Sequence, residues 1–141
     1  MLYERPATLF VAGFVGAPAM NFLSGSIMRG SAPMARIETA AIPLDGYPCS
    51  SSLADGREIV FGIRPEHVPL AEPQTRGPTI EAETLFIEPM GADTLAWFQY
   101  GSQRISARLP PQRARGLSGK VRLALDSGQV SLFDPATEQR L

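Results

Sequence analysis

The chain has 141 residues, 44% of them hydrophobic and 19% charged, with a formal net charge of -1. This is the size of one ordinary domain with a buried core, and its charge balance excludes the basic footprint of a nucleic-acid or anionic-membrane binder. A single cysteine, Cys49, and a single histidine, His67, exclude an internal disulfide and a Cys/His metal centre built within one chain, and they fit a reducing compartment.

The chain opens on "LYERPATLFVAGFVGAPAMNFL". Pro6 suits the first turn of a helix, where its missing N–H costs nothing. Residues 7–12 then read as helical, with Gly13 or Gly16 as the stop and Leu9, Phe10 and Phe14 on one side. So short a helix needs something to dock on. The apolar run is broken by Gly13, Gly16 and Pro18, whereas a membrane span needs about 20 apolar residues in succession. Glu4 and Arg5 cancel, so the basic lead of a signal peptide is absent. These features predict a soluble, cytoplasmic chain with no direct membrane insertion.

From residue 21 the pattern changes to strands. Residues 21–28 form the first, with Gly25 as a candidate bulge. The second, over 35–42, would place Ile37, Thr39 and Ala41 on one face. A loop rich in Pro, Gly and Ser follows over 43–55, and "REIVFGI" over 57–63 is a compact apolar strand. Pro65 turns the chain and disfavours helix at Arg64. After the polar connector 71–78, residues 79–90 are the longest strand candidate, "GADT" turns, and "LAWFQY" returns. Residues 104–109 alternate cleanly, with Ile105, Ala107 and Leu109 opposed to Arg104, Ser106 and Arg108. A basic loop over 110–119, a strand over 120–125, a short last strand over 130–133 and a tail complete the chain. About seven or eight short strands with hardly any helix predict an all-β fold, an OB-fold-like small Greek-key barrel with a short N-terminal helix.

Motifs of catalysis are scarce. The sequence has no phosphate-binding G-x-x-x-x-G-K-[ST], no G-x-G-x-x-G and no G-x-S-x-G. His67 lies between two prolines in "GIRPEHVPL", a place for a structural hydrogen-bonder more than for a general base. Glu81 and Glu83 share a strand face and read as a solvated edge, while Arg108, Arg113 and Arg115 gather around Pro110 as a solvated loop or an anion contact. Trp97 falls on the face opposite Phe98 and Tyr100, so some of these aromatics are core. "GIRPEH" carries the most information. Gly62 permits close backbone approach, Pro65 sets the corner, and Arg64 and Glu66 can pair with each other or with backbone groups.

Taken together, four stretches resemble one family. "LYERPATLFVAGFVGAPAMNFL" resembles the segment that follows the nucleotide-binding domain in ATP-binding subunits of carbohydrate ABC importers of the maltose and glycerol-3-phosphate type. "GIRPEH" is similar to the family's motif in the accessory C-terminal domain, and "IEPMGADTLAWF" resembles the strand–turn–strand after it. "VRLALDSGQVSLFDPATEQRL" resembles the closing strands.

The resemblance implies a linker helix over 1–19 after an ATPase domain that this chain lacks, then a transport-associated OB (TOBE) regulatory domain over 20–141. Gly62, Arg64, Pro65, Glu66, Gly91 and Asp93 would be its motif residues, and Leu9, Phe10 and Phe14 an interface. It implies a non-catalytic domain with no cofactor of its own, ATP and Mg²⁺ belonging to the missing part. Its implied partners are a second copy, membrane-embedded permease subunits reached through the ATPase domain, and a cytoplasmic regulator. The ABC signature "LSGGQ" is absent. Two other readings compete: a free-standing small-ligand or oxyanion binder using Arg113, Arg115 and Lys120, and an enzyme built around His67.

Overall fold

Short runs of alternating apolar residues, interrupted by Gly, Pro and Asp, produce nine antiparallel strands among the described residues. A computed structural model describes residues 20–30, 32–44, 47 and 53–141, with Ser127 described in its backbone alone. The helix expected over 7–12, its residues Leu9, Phe10 and Phe14, and Cys49 lie outside the described residues.

The strands are β1 (Asn21–Arg29), β2 (Pro33–Ile37), β3 (Ala40–Pro43), β4 (Glu58–Ile63), β5 (Thr79–Pro89), β6 (Thr94–Tyr100), β7 (Gln103–Leu109), β8 (Lys120–Ala124) and β9 (Ser131–Phe133). They form a five-stranded sheet in the order β3-β2-β1-β4-β9 and a four-stranded sheet in the order β7-β6-β5-β8. A one-turn helix, α1, spans Pro111–Ala114 in the loop expected to be irregular. The fold is all-β and OB-like, as the strand pattern predicts.

One core lies between the sheets. Leu23, Ile27, Ile37, Phe61 and Ile63 from the first meet Ile80, Phe98, Ile105, Ala107 and Leu123 from the second, all at most 4% exposed. Each large side chain so buried contributes roughly 1.5–3 kcal/mol of transfer free energy. The opposite face of β4 carries a second, smaller cluster of Met20 and Phe133 with Phe22 and Val60, in which the Phe22 and Phe133 rings meet edge to face with centroids 6.1 Å apart.

Where the two sheets meet, β1 runs beside β7, and side-chain amides take the place of a backbone ladder. Asn21 Nδ2 donates to the Ser106 carbonyl at 2.8 Å, and Asn21 Oδ1 accepts from the Ser106 N–H and hydroxyl, each at 2.8 Å. Three residues along, the roles reverse. Gln103 Oε1 accepts from the Ser24 N–H at 2.7 Å and Gln103 Nε2 donates to the Ser24 carbonyl at 3.1 Å. Asn21 is 7% and Ser106 1% exposed, so this end of the closure is dry.

Three local expectations need correction. Residues 35–42 are not one strand but the hairpin β2–β3, in which Ile37 is buried while Thr39 and Ala41 are exposed. Its two-residue turn puts Glu38 at φ 53, a conformation that such turns normally give to Asn or Gly. Tertiary contacts hold it there. Glu38 Oε2 accepts from the Ser102 hydroxyl at 2.9 Å and from Gln103 Nε2 at 3.0 Å, and Gly101 leaves room for the carboxylate, since a Cβ there would lie 2.5 Å from Glu38 Oε1.

Gly25 is not a bulge either, because β1 pairs continuously with β4 from Asn21↔Ile63 to Ser26↔Glu58. A Cβ at Gly25 would strike Ile37 Cδ1 and the Arg36 carbonyl, so close approach is the reason for glycine. The bulge falls in β5, between Thr84 and Phe86.

Nor is the C-terminal stretch a loose tail. The Tyr47 hydroxyl donates to the Leu141 carbonyl and accepts from the Leu132 N–H, both at 2.9 Å, while the Leu141 N–H bonds the Leu132 carbonyl at 2.8 Å. Asp134 heads the turn by accepting from the Ala136 and Thr137 N–H groups and from Arg57 at 2.7 Å.

Replacing Asn21 with Ala strands two buried backbone groups of Ser106, so Asn21→Ala is expected to cost about 2–4 kcal/mol in urea unfolding, and Gln103→Ala, at the wetter end, about 1 kcal/mol. Acid should weaken the fold through two carboxyls. Hydrogen bonds from Gln103 and then Ser102 hold Glu38 below its ordinary value, and the Thr137 N–H, Arg57 and the Ala136 N–H do the same for Asp134. Each binds its proton less readily folded than unfolded. Their contribution is therefore complete above the unfolded carboxylate range, about pH 4, and is lost as pH falls through the lower folded values. Urea midpoints taken from about pH 7 to about pH 3 should drop less steeply in Glu38→Gln and Asp134→Asn than in the parent chain.

Candidate functional site

The "GIRPEH" corner closes β4. Gly62 pairs with Phe22 on one side and Ser131 on the other. A Cβ at this position would sit 2.8 Å from Met20 Sδ and 3.0 Å from the Phe133 ring, so these two side chains can pack over β4 here only against bare backbone. Arg64 is extended at φ -77, ψ 149, as the following proline requires, and is 2% exposed. Pro65 then opens a single 3-10 turn, Pro65–His67.

Three charges far apart in sequence gather beside this corner. The Arg108 guanidinium, on β7, lies 3.3 Å from Asp93 Oδ2 and 3.9 Å from Glu66 Oε1. Asp93 arrives there through the β5–β6 turn, where Gly91 takes φ 93 and the Asp93 carbonyl accepts from the Met90 N–H at 2.9 Å. Glu66 thus reaches Arg108, a partner the sequence reading does not name. With Arg108 34%, Glu66 26% and Asp93 47% exposed, each pair is worth at most about 1 kcal/mol. Its effect is to orient: it ties the β4 corner, the β5–β6 turn and β7 together at one edge.

The other candidates disperse. The basic loop is not a convergent cluster, since Arg108 serves the corner and Arg113 pairs with Glu72, leaving Arg115 and Lys120 exposed. The Arg113–Glu72 pair rims a groove of about 300 Å³ floored by Pro69, Leu70, Leu109 and Pro110. His67 is half-buried, its carbonyl accepts from the Asp126 N–H at 3.2 Å, and it lines none of the three grooves described. Glu81 and Glu83 are exposed and stand opposite Arg122 and Lys120 of β8. Phe98 and Tyr100 are core, and burial raises the Tyr100 hydroxyl above its ordinary pKa. Trp97 lies on the outer face, stacked on Phe86 at 5.9 Å. Among the described residues no group of three or more His, Cys, Asp or Glu is placed to hold a metal ion.

Sequence reasoning passed over Asn21 and Gln103. The only local sign of the first was an amide heading an apolar strand, which period-2 reading assigns to a strand end. Glu38 carried no sign, since its turn is imposed from the β6–β7 side.

Comparison with known proteins places this geometry. Residues 16–68 match the family model described as the MalK OB fold domain, and residues 61–133 match that described as the TOBE domain. The uncharacterized ABC transporter ATP-binding protein y4oS of Sinorhizobium fredii is 37% identical over 141 residues, covering 99% of this chain and 36% of its own length. The sulfoquinovosyl glycerol transport ATP-binding protein SmoE of Agrobacterium fabrum is 35% identical over 148 residues, with 99% and 38% covered. The sn-glycerol-3-phosphate import ATP-binding protein UgpC of Escherichia coli O157:H7 is 37% identical over 140 residues, again with 99% and 38% covered. The chain therefore spans little more than a third of the length of these relatives. Among solved structures, the cytoplasmic molybdate-binding protein ModG with molybdate bound superposes with a TM-score of 0.62 at 15% identity, over 82% of this chain and 96% of that one, a likeness of fold alone. No described helix is long and apolar enough to cross a membrane.

The close packing at Gly62 makes a direct test of the corner. Gly62→Ala should cost about 1–3 kcal/mol through overpacking against Met20 and Phe133. Differential scanning calorimetry should show the loss, and Met20→Ala should restore part of it.

Proposed function

The chain belongs to the TOBE domain family, and on that premise we propose that it acts as the non-catalytic regulatory and pairing domain of the ATP-binding subunit of a sugar-type ABC importer. One observation carries the reading: 99% of the chain, in order, matches ATP-binding subunits named for glycerol-3-phosphate import and sulfoquinovosyl glycerol transport. The absence of a phosphate loop and of "LSGGQ" supports a division of labour in which ATP and Mg²⁺ are bound elsewhere in such a subunit. In this reading the domain works at the cytoplasmic face. It pairs with a second copy, and the permease subunits are reached through the ATPase part. The substrate is chosen outside this chain, and the domain is also the place for a cytoplasmic regulator to act. Arg108, joining three segments at one edge, is suited to keeping the domain rigid as the subunits open and close.

A second reading, an oxyanion-binding domain, draws on the fold shared with a molybdate-binding protein and on the exposed Arg115 and Lys120. The pairing of Arg113 with Glu72 weakens it, because that cation is already neutralised.

Three measurements separate these. The purified chain should scatter light as twice its 15.2 kDa mass at high concentration and turn over no ATP. A clean monomer at every concentration overturns pairing, and ATP turnover overturns the non-catalytic assignment. Calorimetry with molybdate, sulfate and phosphate should give no binding heat, and saturable heat with any of them would favour the second reading.

A further inference from the structure

The outer face of the four-stranded sheet carries an apolar stripe that the core does not use. Among the described residues the exposed large hydrophobics are Leu85 at 40%, Phe86 at 48% and Met90 at 51%, and all three lie on or just beyond one half of β5. The β5 bulge follows Thr84 and so places Leu85 beside Phe86 on the surface. Phe86 stands opposite Trp97, whose indole stacks on it, and next to Trp97 runs a groove of about 420 Å³ that Phe22, Leu95 and Met90 also line. Scattered apolar residues on a surface mean little, but a contiguous stripe around an aromatic pair and a groove marks a contact face.

The charges on this face identify the occupant. Glu88 stands opposite Leu95, while Arg104 stands opposite Gln99, and Trp97 lies between the two levels. Both charged residues line the groove, one at each side of the tryptophan. Glu88 accepts from Trp97 Nε1 at 3.2 Å, and neither residue has an ion-pair partner among the described residues. A patch with one acid and one base on opposite sides of an apolar centre is complementary to itself. A two-fold axis lying in the contact plane and passing by Trp97 exchanges the ends, so Glu88 of each copy faces Arg104 of the other. A partner of a single charge sign would leave one of the two unmatched.

We propose that this stripe, centred on Phe86 and Trp97 and flanked by Glu88 and Arg104, is the isologous surface through which two copies of the chain pair. The inference rests on the pairing proposed above and gives it a location. Phe86 and Met90 of one copy enter the groove of the other, Trp97 becomes dry, and two reciprocal Glu88–Arg104 pairs set the register at the rim. The apolar centre carries affinity and the charges carry orientation.

Sedimentation equilibrium on the whole chain tests this, with thermal unfolding as the folding control. Phe86→Glu, a change at an exposed position, should raise the dimer dissociation constant by about a hundredfold or more, as loss of a central anchor does. Glu88→Arg and Arg104→Glu should each raise it about tenfold, and the double reversal should recover most of that loss. Trp97 is the only tryptophan, so its emission should shift to the blue on concentrating the parent chain and stay unshifted in Phe86→Glu. A parent chain that never dimerises overturns pairing altogether. A dimer that survives Phe86→Glu, or a double reversal no better than the single ones, overturns this surface and leaves pairing by another face standing. Removal of residues 1–19 that alone shifts Trp97 emission, with no change in the number of chains associated, would assign the groove to that segment and also overturn the proposal.

Discussion

The buried amide at Asn21 holds the two sheets to each other, and much of the fold depends on it. A five-stranded and a four-stranded sheet share one core, yet no backbone ladder joins β1 to β7. Leaving those backbone groups unpaired in a dry place would cost more than most single contacts return. Asn21 answers with one donor and one acceptor matched to the Ser106 N–H and carbonyl, and Gln103 repeats the device on Ser24. The spacing of three residues on each strand means that both amides form together only in one register. Closure, register and the burial of Phe61, Phe98 and Leu23 are thus one cooperative event.

That closure also prepares the two features with functional meaning. Because β7 is held against β1, Arg108 at its far end reaches both Glu66 and Asp93 beside the "GIRPEH" corner. For the same reason the inner residues of β5 and β6 are committed to the core, and their alternates, Phe86 and Trp97, are committed to the outside.

Much of this was legible in the residue order. The clean alternation of "RISARL" predicts the β7 faces, with Ile105 and Ala107 fully buried and Arg104 exposed. Gly62 read as close approach, Pro65 as a corner and Gly91 as a turn because each reports a backbone demand that few residues meet. The hairpin at Glu38 was not legible, since neither residue of its turn favours φ above zero and the compensation comes from Ser102 and Gln103. The approach of Arg108 to Glu66 was not legible for a related reason: the two are 42 positions apart and meet only through the fold. The stripe on β5 depended on a bulge whose position no single residue announces.

The sequence by itself determined the all-β class, nearly every strand, the corner at Gly62–Glu66 and the family resemblance. These follow from dihedral preferences and apolar periodicity within a few neighbouring residues. Only the tertiary structure decided which amide closes the barrel, which carboxylates share Arg108, how Glu38 is held and which apolar residues stay in water. Each of those depends on atoms brought together across long stretches of chain, 85 residues in the case of Asn21 and Ser106. Such contacts exist only once sheet order and register are set, and both are products of burying the whole core at once.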